Sequence, residues 1–463
     1  MADMKPVGES FEELRARLHN AIPGGAHTYS RGDDQFPSIA PPLLVKGKGS
    51  YVWDSEGNKF LDYGMALRAI TLGYAEERVN ARALEEMNKG VNLTRASYTE
   101  LEAAEKLIEL VPSVEMVKFA KNGSNVTTAA LKIARAYTGK HYVCVPRQQP
   151  FFSFDDWFIG TTPITRGIPD EARGSTLAFD YGDIDSLKAL FDQYPDQIAA
   201  VIMEPATNVM PCADSCKQSD DWYKVGCKGC SEIEGNFLHQ VQDLCNRSET
   251  VFVLDEMITG FRWSLSGAQS LFGVKPDLTT FGKGMANGYS VAAIGGKREI
   301  MEVGSIDLDG MERTFLLSTT HGAEMPGLGA FIETMRIYDD EKVVEHLWKY
   351  GIALKNTFNY LAKEYGIERF VAMEGPPISL NYTTRDAAGN ISLEFRTLFS
   401  QELIKRGVLM PWVAISNSHG DTELALTADA LSGVFEVYAR ALEEGLDNYL
   451  EGPVIRPVFR RHN

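Results

Sequence analysis

The stretch "TTFGKGMANGYS", Thr279–Ser290, carries one lysine, Lys283, between Gly282 and Gly284, with Gly288 close behind. Glycines let neighbouring backbone pack closely around that lysine, which a merely solubilising lysine does not need. Upstream, "TVFVLDEMITGFR", Thr250–Arg262, runs through β-branched and apolar residues to Asp255. Each stretch reads as a short buried strand followed by a polar turn. In open α/β sheets, ligands collect beyond the carboxyl ends of the strands. Two consecutive strands therefore bring Asp255 and Lys283, 28 residues apart in sequence, to one crevice.

Strand-like and helix-like runs alternate on either side: "MVKFAKNG", "TTAALKIARAYTG" and "HYVCVPR", then "IAAVIMEP" and "FLHQVQDLCNR". This predicts an α/β fold with a mainly parallel sheet covered by helices on both faces. The expected organisation is an N-terminal segment at 1–75, a large domain at 76–320 with an insertion at 210–232, and a C-terminal domain at 321–463. The N-terminal "LLVKGKGSYVWDSEGNKFLDY" predicts a meander, turning at Gly47-Lys48-Gly49 and Glu56-Gly57-Asn58. Ser10 and Glu13 predict a capping box opening an amphipathic helix.

A lysine moved out of water loses part of its charge and becomes a nucleophile able to form a Schiff base. A carboxylate beside it can keep a pyridine nitrogen protonated. Pyridoxal phosphate requires both groups. It also requires a phosphate site, and "FAKNGSNVTTAALKIARAYTG" supplies one: Asn122-Gly123-Ser124 is a turn at a helix start, where backbone N–H groups and the positive helix end favour an anion. Each piece alone is an ordinary cap or loop; their order and spacing make them a set.

The span "VFVLDEMITGFRWSLSGAQSLFGVKPDLTTFGKGMANGYSVAAIGGKREIM" resembles the class III pyridoxal-phosphate aminotransferases, nearest the glutamate-1-semialdehyde aminomutase branch. The likeness runs from "IPGG" at Ile22 into the C-terminal part. It implies the fold type I architecture: a large domain with a mainly parallel seven-stranded sheet, a smaller α+β domain built from both chain ends, and a homodimer. Carried over, Lys283 is the Schiff-base lysine and Asp255 pairs with the pyridine nitrogen. Gly123 and Ser124 hold the phosphate, Glu204 is the glutamate of the Glu-Pro turn that ends a central strand, and Asn208 lies near the ring oxygen. In "STTHGAE", Thr319 reaches the neighbouring subunit's phosphate.

The chain departs from that pattern in several places. Phe151 and Phe152 of "RQQPFFSFDDWFIG" stand where the family has a Tyr-His pair. Phe151 keeps the aromatic face for stacking but loses the hydroxyl. Asn125 stands at a position often acidic. Leu67 and Arg68 of "MALRA" occupy the place of the aminomutase tryptophan. In "IPGGAHTYSRGDDQFP", Arg31 aligns with an arginine that binds the substrate carboxylate, which suits a bidentate fork; His27 and Tyr29 are expected beside it.

The implied activity is amino transfer between an amino donor and a keto or aldehyde acceptor through Lys283. An intramolecular aminomutase or a decarboxylase would use the same apparatus. A non-catalytic zinc-bearing scaffold is the reading from another class.

Four of the six cysteines, Cys212, Cys216, Cys227 and Cys230, lie in "CADSCKQSDDWYKVGCKGC". Two thiolate pairs suit structural zinc; an iron–sulfur cluster, a disulfide or free thiols remain alternatives. Cys144 and Cys245 are expected to be buried thiols. A net charge of -17 opposes nucleic-acid binding. No apolar run is long enough for a membrane span, and the N-terminus lacks a signal-peptide core, which predicts a cytoplasmic protein with no membrane partner.

Overall fold

The computed structural model describes residues 8–212 and 236–462. Two compact units emerge: one spans Glu77–Glu345, the other joins the residues up to Glu76 with His346 onward.

In the unit made from both chain ends, Ser10 and Glu13 close the capping box of the helix Phe11–Ala21. Strands β1 (Leu44–Lys48), β2 (Tyr51–Asp54) and β3 (Lys59–Asp62) then form an antiparallel meander. Its second turn is closed by Asp54, whose carboxylate accepts from the Glu56 and Asn58 amides, both at 2.9 Å.

The large unit holds β4 (Met116–Ala120), β5 (Tyr142–Pro146), β6 (Thr176–Phe179), β7 (Ile198–Met203), β8 (Val251–Asp255), β9 (Leu278–Phe281) and β10 (Ala292–Gly296). They form one seven-stranded sheet in the order β4-β10-β9-β8-β7-β5-β6. Only β10 runs against its neighbours; the other six point their carboxyl ends the same way. Every residue of β7, β8 and β9 is buried. Their near-continuous apolar runs are the signature of a sheet covered on both faces. The helix Gly123–Thr138 covers one face, with Val126, Ala130 and Ile133 packed among Val143, Ala200, Val253 and Ile294. It ends at Gly139, in the left-handed conformation (φ 70°) that glycine adopts without strain. The helix Met325–Asp340, assigned above to the C-terminal part, clusters with this unit.

The remaining strands belong to the first unit: β11 (Val371–Glu374) pairs with β12 (Asn381–Thr384), and β13 (Val408–Leu409) extends the meander parallel to β3. Here His419 is fully buried and stacked on Tyr63, with ring centroids 4.6 Å apart. The Ser416 amide donates to its Nδ1 at 3.1 Å, and its Nε2 has no hydrogen-bond partner. Burial pulls the imidazole pKa down to about 4. The fold thus favours neutral His419, and the unfolded chain takes the proton first as pH falls below 6.5. This histidine's contribution is complete at neutral pH and disappears as pH drops through 4. Between pH 7 and pH 5 the wild type should lose about 2 kcal/mol of stability that H419Q does not lose. Urea unfolding of both proteins at the two pH values checks this; parallel losses would refute it.

Candidate active site

Asp255 is the last residue of β8, and Lys283 lies two residues past the end of the adjacent β9. The parallel register therefore delivers both to the carboxyl edge of the sheet. Asp255 is 2% exposed. Its Oδ1 accepts from the Met257 amide at 3.0 Å and from Thr280 Oγ1 at 3.1 Å. Burial raises its pKa to about 6, against the opposing pull of the Lys283 charge and the two hydrogen bonds. Lys283 adopts φ 43°, an unusual backbone for a residue with a side chain. Tyr338 Oη donates to the Gly284 carbonyl at 3.1 Å and ties this turn to the helix Met325–Asp340.

Met257 joins the two strand ends to the helix start. A Cβ at Gly282 would lie 2.6 Å from Met257 Sδ, and one at Gly123 would lie 3.1 Å from it. Close approach explains both glycines. Asn122 caps the helix Gly123–Thr138, accepting from the Asn125 amide at 3.0 Å. Ser124 is buried, and its Oγ accepts from the Phe154 amide at 3.0 Å. That bond leaves the hydroxyl proton available to a further acceptor. The departures at the aromatic pair resolve by burial. Phe151 is 47% exposed and edge-on to Phe158, whereas Phe152 is buried and its carbonyl accepts from Thr127 Oγ1.

Glu204 follows β7 and is buried. Gln149 grips its backbone from both sides: Nε2 donates to the Glu204 carbonyl at 2.9 Å, and Oε1 accepts from the Glu204 amide at 2.7 Å. On the other flank Gln148 accepts from the Tyr181 amide and donates to the Asp180 carboxylate, both at 2.9 Å. The "RQQP" run after β5 thus staples the ends of β6 and β7 to β5. Asn208 and Thr319 are exposed, and Thr319 Oγ1 lies against Gly322.

Glu256 adjoins Asp255 but has a different job. It is fully buried and accepts from the Ala268 amide at 2.7 Å, the Gln269 amide at 3.0 Å and Thr259 Oγ1 at 2.8 Å. It is the anchor of the 256–269 loop. E256A strands those donors in the core, and a loss of about 3–5 kcal/mol is expected. A melting temperature within about 2 °C of wild type would contradict this anchor role.

Arg31, His27 and Tyr29 belong to the other unit and are exposed. The acids beside Arg31 are already engaged. Asp33 pairs with Arg15 at 3.2 Å and His19 at 2.8 Å, and Asp34 pairs with Arg460 at 2.6 Å. Arg31 forms no ion pair among the described residues and lines a cavity of about 430 Å³ with Leu67, Tyr74 and Trp412. The adjoining backbone is strained: Met65, Ala66, Leu67 and Arg68 have φ of 41°, 48°, 63° and 67°. A left-handed turn of non-glycine residues costs roughly 1–2 kcal/mol per residue. Nothing in "MALR" announces it.

Cys144 and Cys245 are buried, and burial raises both thiols. Cys212 is partly buried, bridged through its backbone to Asn236, while Cys216, Cys227 and Cys230 lie outside the described residues. Among the described residues, no cluster of three metal-ligating side chains occurs and no helix is long and apolar enough to cross a membrane.

The class-III aminotransferase family model matches residues 29–210 and 225–411. A 3-aminobutyryl-CoA aminotransferase from Cloacimonas acidaminovorans is 30% identical, over 91% of this chain and 94% of its own. A glutamate-1-semialdehyde 2,1-aminomutase from Alkaliphilus metalliredigens is 28% identical, over 91% and 95%. An omega-transaminase from Sphaerobacter thermophilus shares the fold at a TM-score of 0.76 with 23% identity, covering 95% of this chain and all of that one. With an acid and a lysine at adjoining strand ends and a family match over most of its length, the chain belongs to the class-III aminotransferases and is a pyridoxal-phosphate-dependent transaminase.

Proposed function

We propose that Lys283 and Asp255 are the catalytic pair of an aminotransferase that moves an amino group from an amino donor to a separate keto or aldehyde acceptor. The carrying observation is the buried Asp255 carboxyl, electrostatically coupled to Lys283 at the next strand end. The residues present fit pyridoxal phosphate: an acid for the ring nitrogen, an amine for the aldehyde, and a helix start closely packed around Gly123. When bound, the cofactor supplies an electron sink for the pair left when a bond at the donor's α-carbon breaks.

The chain supplies the rest. Asp255 holds negative charge where a ring proton is to be kept. The N–H groups at Gly123 and Ser124, with the Ser124 hydroxyl, hold the phosphate. Phe151 offers an aromatic face, and Glu204 and Asn208 border the same sheet edge. Lys283 Nζ takes the proton from the donor's α-carbon. Arg31 binds the donor or acceptor carboxylate, with His27 and Tyr29 beside it. Leu67 and Arg68 in place of the aminomutase tryptophan argue against the aminomutase substrate.

The test is spectroscopic. Purified protein with pyridoxal phosphate is mixed with a panel of amino donors while the visible cofactor absorbance is followed. One donor should bleach it, and a keto acceptor should restore it. Absorbance that never develops sinks the Lys283 assignment; absorbance that no donor bleaches in an acceptor-dependent way favours the aminomutase alternative.

Two further assignments belong to this reading. A homodimer, with Thr319 reaching the partner's phosphate, would cover exposed Leu84, Met87, Val91, Leu93 and Leu101; a sedimentation mass of one chain would refute it. Structural zinc at Cys212, Cys216, Cys227 and Cys230 rests on spacing alone, and metal-free purified protein would refute it.

A further inference from the structure

We propose that Thr128 is a positioning residue for Phe151: with Ser124, Thr127 and Asp155 it staples the segment 152–157 to the helix Gly123–Thr138 and thereby fixes the aromatic face that Phe151 offers. The inference rests on the aminotransferase reading, which stacks Phe151 on the cofactor, and adds what holds that ring in place.

Four observations within the large unit carry it. First, Phe151 has no polar handle. Its ring is exposed and packs edge-on to Phe158, with centroids 5.9 Å apart, so it goes where its backbone goes. Second, Ser124, Thr127 and Thr128 stand at i, i+3 and i+4 of the helix and share one face. All three hydroxyls reach the segment after Phe151. Ser124 Oγ accepts from the Phe154 amide at 3.0 Å, Thr127 Oγ1 donates to the Phe152 carbonyl at 3.0 Å, and Thr128 Oγ1 donates to the Asp155 carboxylate. The Thr127 proton has a second acceptor, the Gly123 carbonyl at 3.1 Å, so Thr128 is the firmer hold. Third, Thr128 is used twice: its oxygen also accepts from Trp157 Nε1 at 2.8 Å. Trp157 is buried, and its carbonyl accepts from Thr176 Oγ1 at 2.7 Å, which ties the far end of the segment to β6. Fourth, Asp155 gives up its ordinary work. An aspartate at an N-cap normally accepts from the amides of its own helix. Asp155 is the N-cap residue of the turn Asp156–Ile159, yet its side chain caps nothing there and accepts from Thr128 instead. The helix start that is to hold the phosphate thus also grips the chain that carries the ring face.

The variant that tests this is T128V, which keeps the branched shape and removes the hydroxyl. In the cofactor-free protein, amide exchange over residues 152–157 should speed up about tenfold while residues 129–138 hold, because a staple is lost and the helix is not. Titrated with pyridoxal phosphate, T128V should bind about threefold to tenfold more weakly. Its visible circular dichroism per bound cofactor should fall, since the ring is then held less firmly on one side. T128S restores the hydroxyl and should restore both readings. F151A alone should weaken binding about tenfold, and T128V added to F151A should weaken it no further. A merely structural role for Thr128 would lower the melting temperature, leave the dichroism per bound cofactor unchanged and add its loss to that of F151A. Additive losses, or exchange over 152–157 that T128V leaves unchanged, overturn the proposal. If T128V does not fold, D155A decides by the same readings, because no cap bond is lost with that carboxylate. Cofactor absorbance that never develops in the wild type overturns the transaminase reading and this assignment together; that failure is told apart from loss of the staple by the exchange result, which needs no cofactor.

Discussion

K283A is expected to lower turnover by about four orders of magnitude or more. The expectation follows from position and chemistry together. Lys283 is placed at a strand end next to a buried acid, and removing its Nζ removes the base proposed for the α-carbon proton. The substitution should leave the fold intact: the residue is only partly buried, and alanine tolerates φ 43° no better than lysine does, so the local strain is unchanged. Asp255 in the variant loses the positive charge that restrains its pKa and should protonate at higher pH than the wild type's value of about 6. A small primary amine such as ethylamine, added to the buffer, should restore part of the rate. Turnover within tenfold of wild type, or a loss accompanied by unfolding, would remove Lys283 from the mechanism.

The legible part of this protein is what local sequence controls. The runs through Val251–Asp255 and Leu278–Phe281 are apolar on both faces, and only a covered parallel sheet accommodates them; their last residues then fall at one edge. Asn122-Gly123-Ser124 is a cap followed by a helix, readable from residue type alone. The illegible part depends on partners far away in the chain. Met257 wedges between Gly123 and Gly282, and Gln149 grips the backbone of Glu204, 55 residues on. No propensity scale puts "MALR" into a left-handed turn; a buried Asp62 and Trp412 impose it. Arg31 looks neutralised by Asp33 and Asp34 until the structure shows both acids paired with Arg15, His19 and Arg460. Nothing in the sequence tells Glu256 from Asp255 in role, yet its bonds run to Thr259, Ala268 and Gln269 and anchor a loop.

D255N separates the same carboxylate's role in chemistry from its burden on the fold. Activity should fall by about 10²–10³-fold, because the variant loses the buried charge proposed to stabilise positive charge on the cofactor ring. Stability without cofactor should move the other way. Burial raises the Asp255 pKa from 3.8 to about 6, so the native state holds the proton more tightly than the unfolded chain. Its contribution is therefore most favourable below pH 3.8 and is lost as pH rises through about 6. At pH 8 the wild type carries an ionised carboxylate in a dry site at a cost of about 3 kcal/mol, which asparagine avoids while still accepting from Met257 and Thr280. Cofactor-free D255N should accordingly unfold at higher urea than wild type at pH 8, with the gap closing towards pH 4. With pyridoxal phosphate bound the order should reverse if Asp255 has its proposed role, because the wild-type carboxylate would then pair with a cationic ring nitrogen. Urea unfolding of both proteins with and without cofactor, at both pH values, decides it. A cofactor-free D255N less stable than wild type at pH 8 would mean that Asp255 is a structural acid satisfied by its own hydrogen bonds, and the catalytic pairing with Lys283 would lose its electrostatic basis.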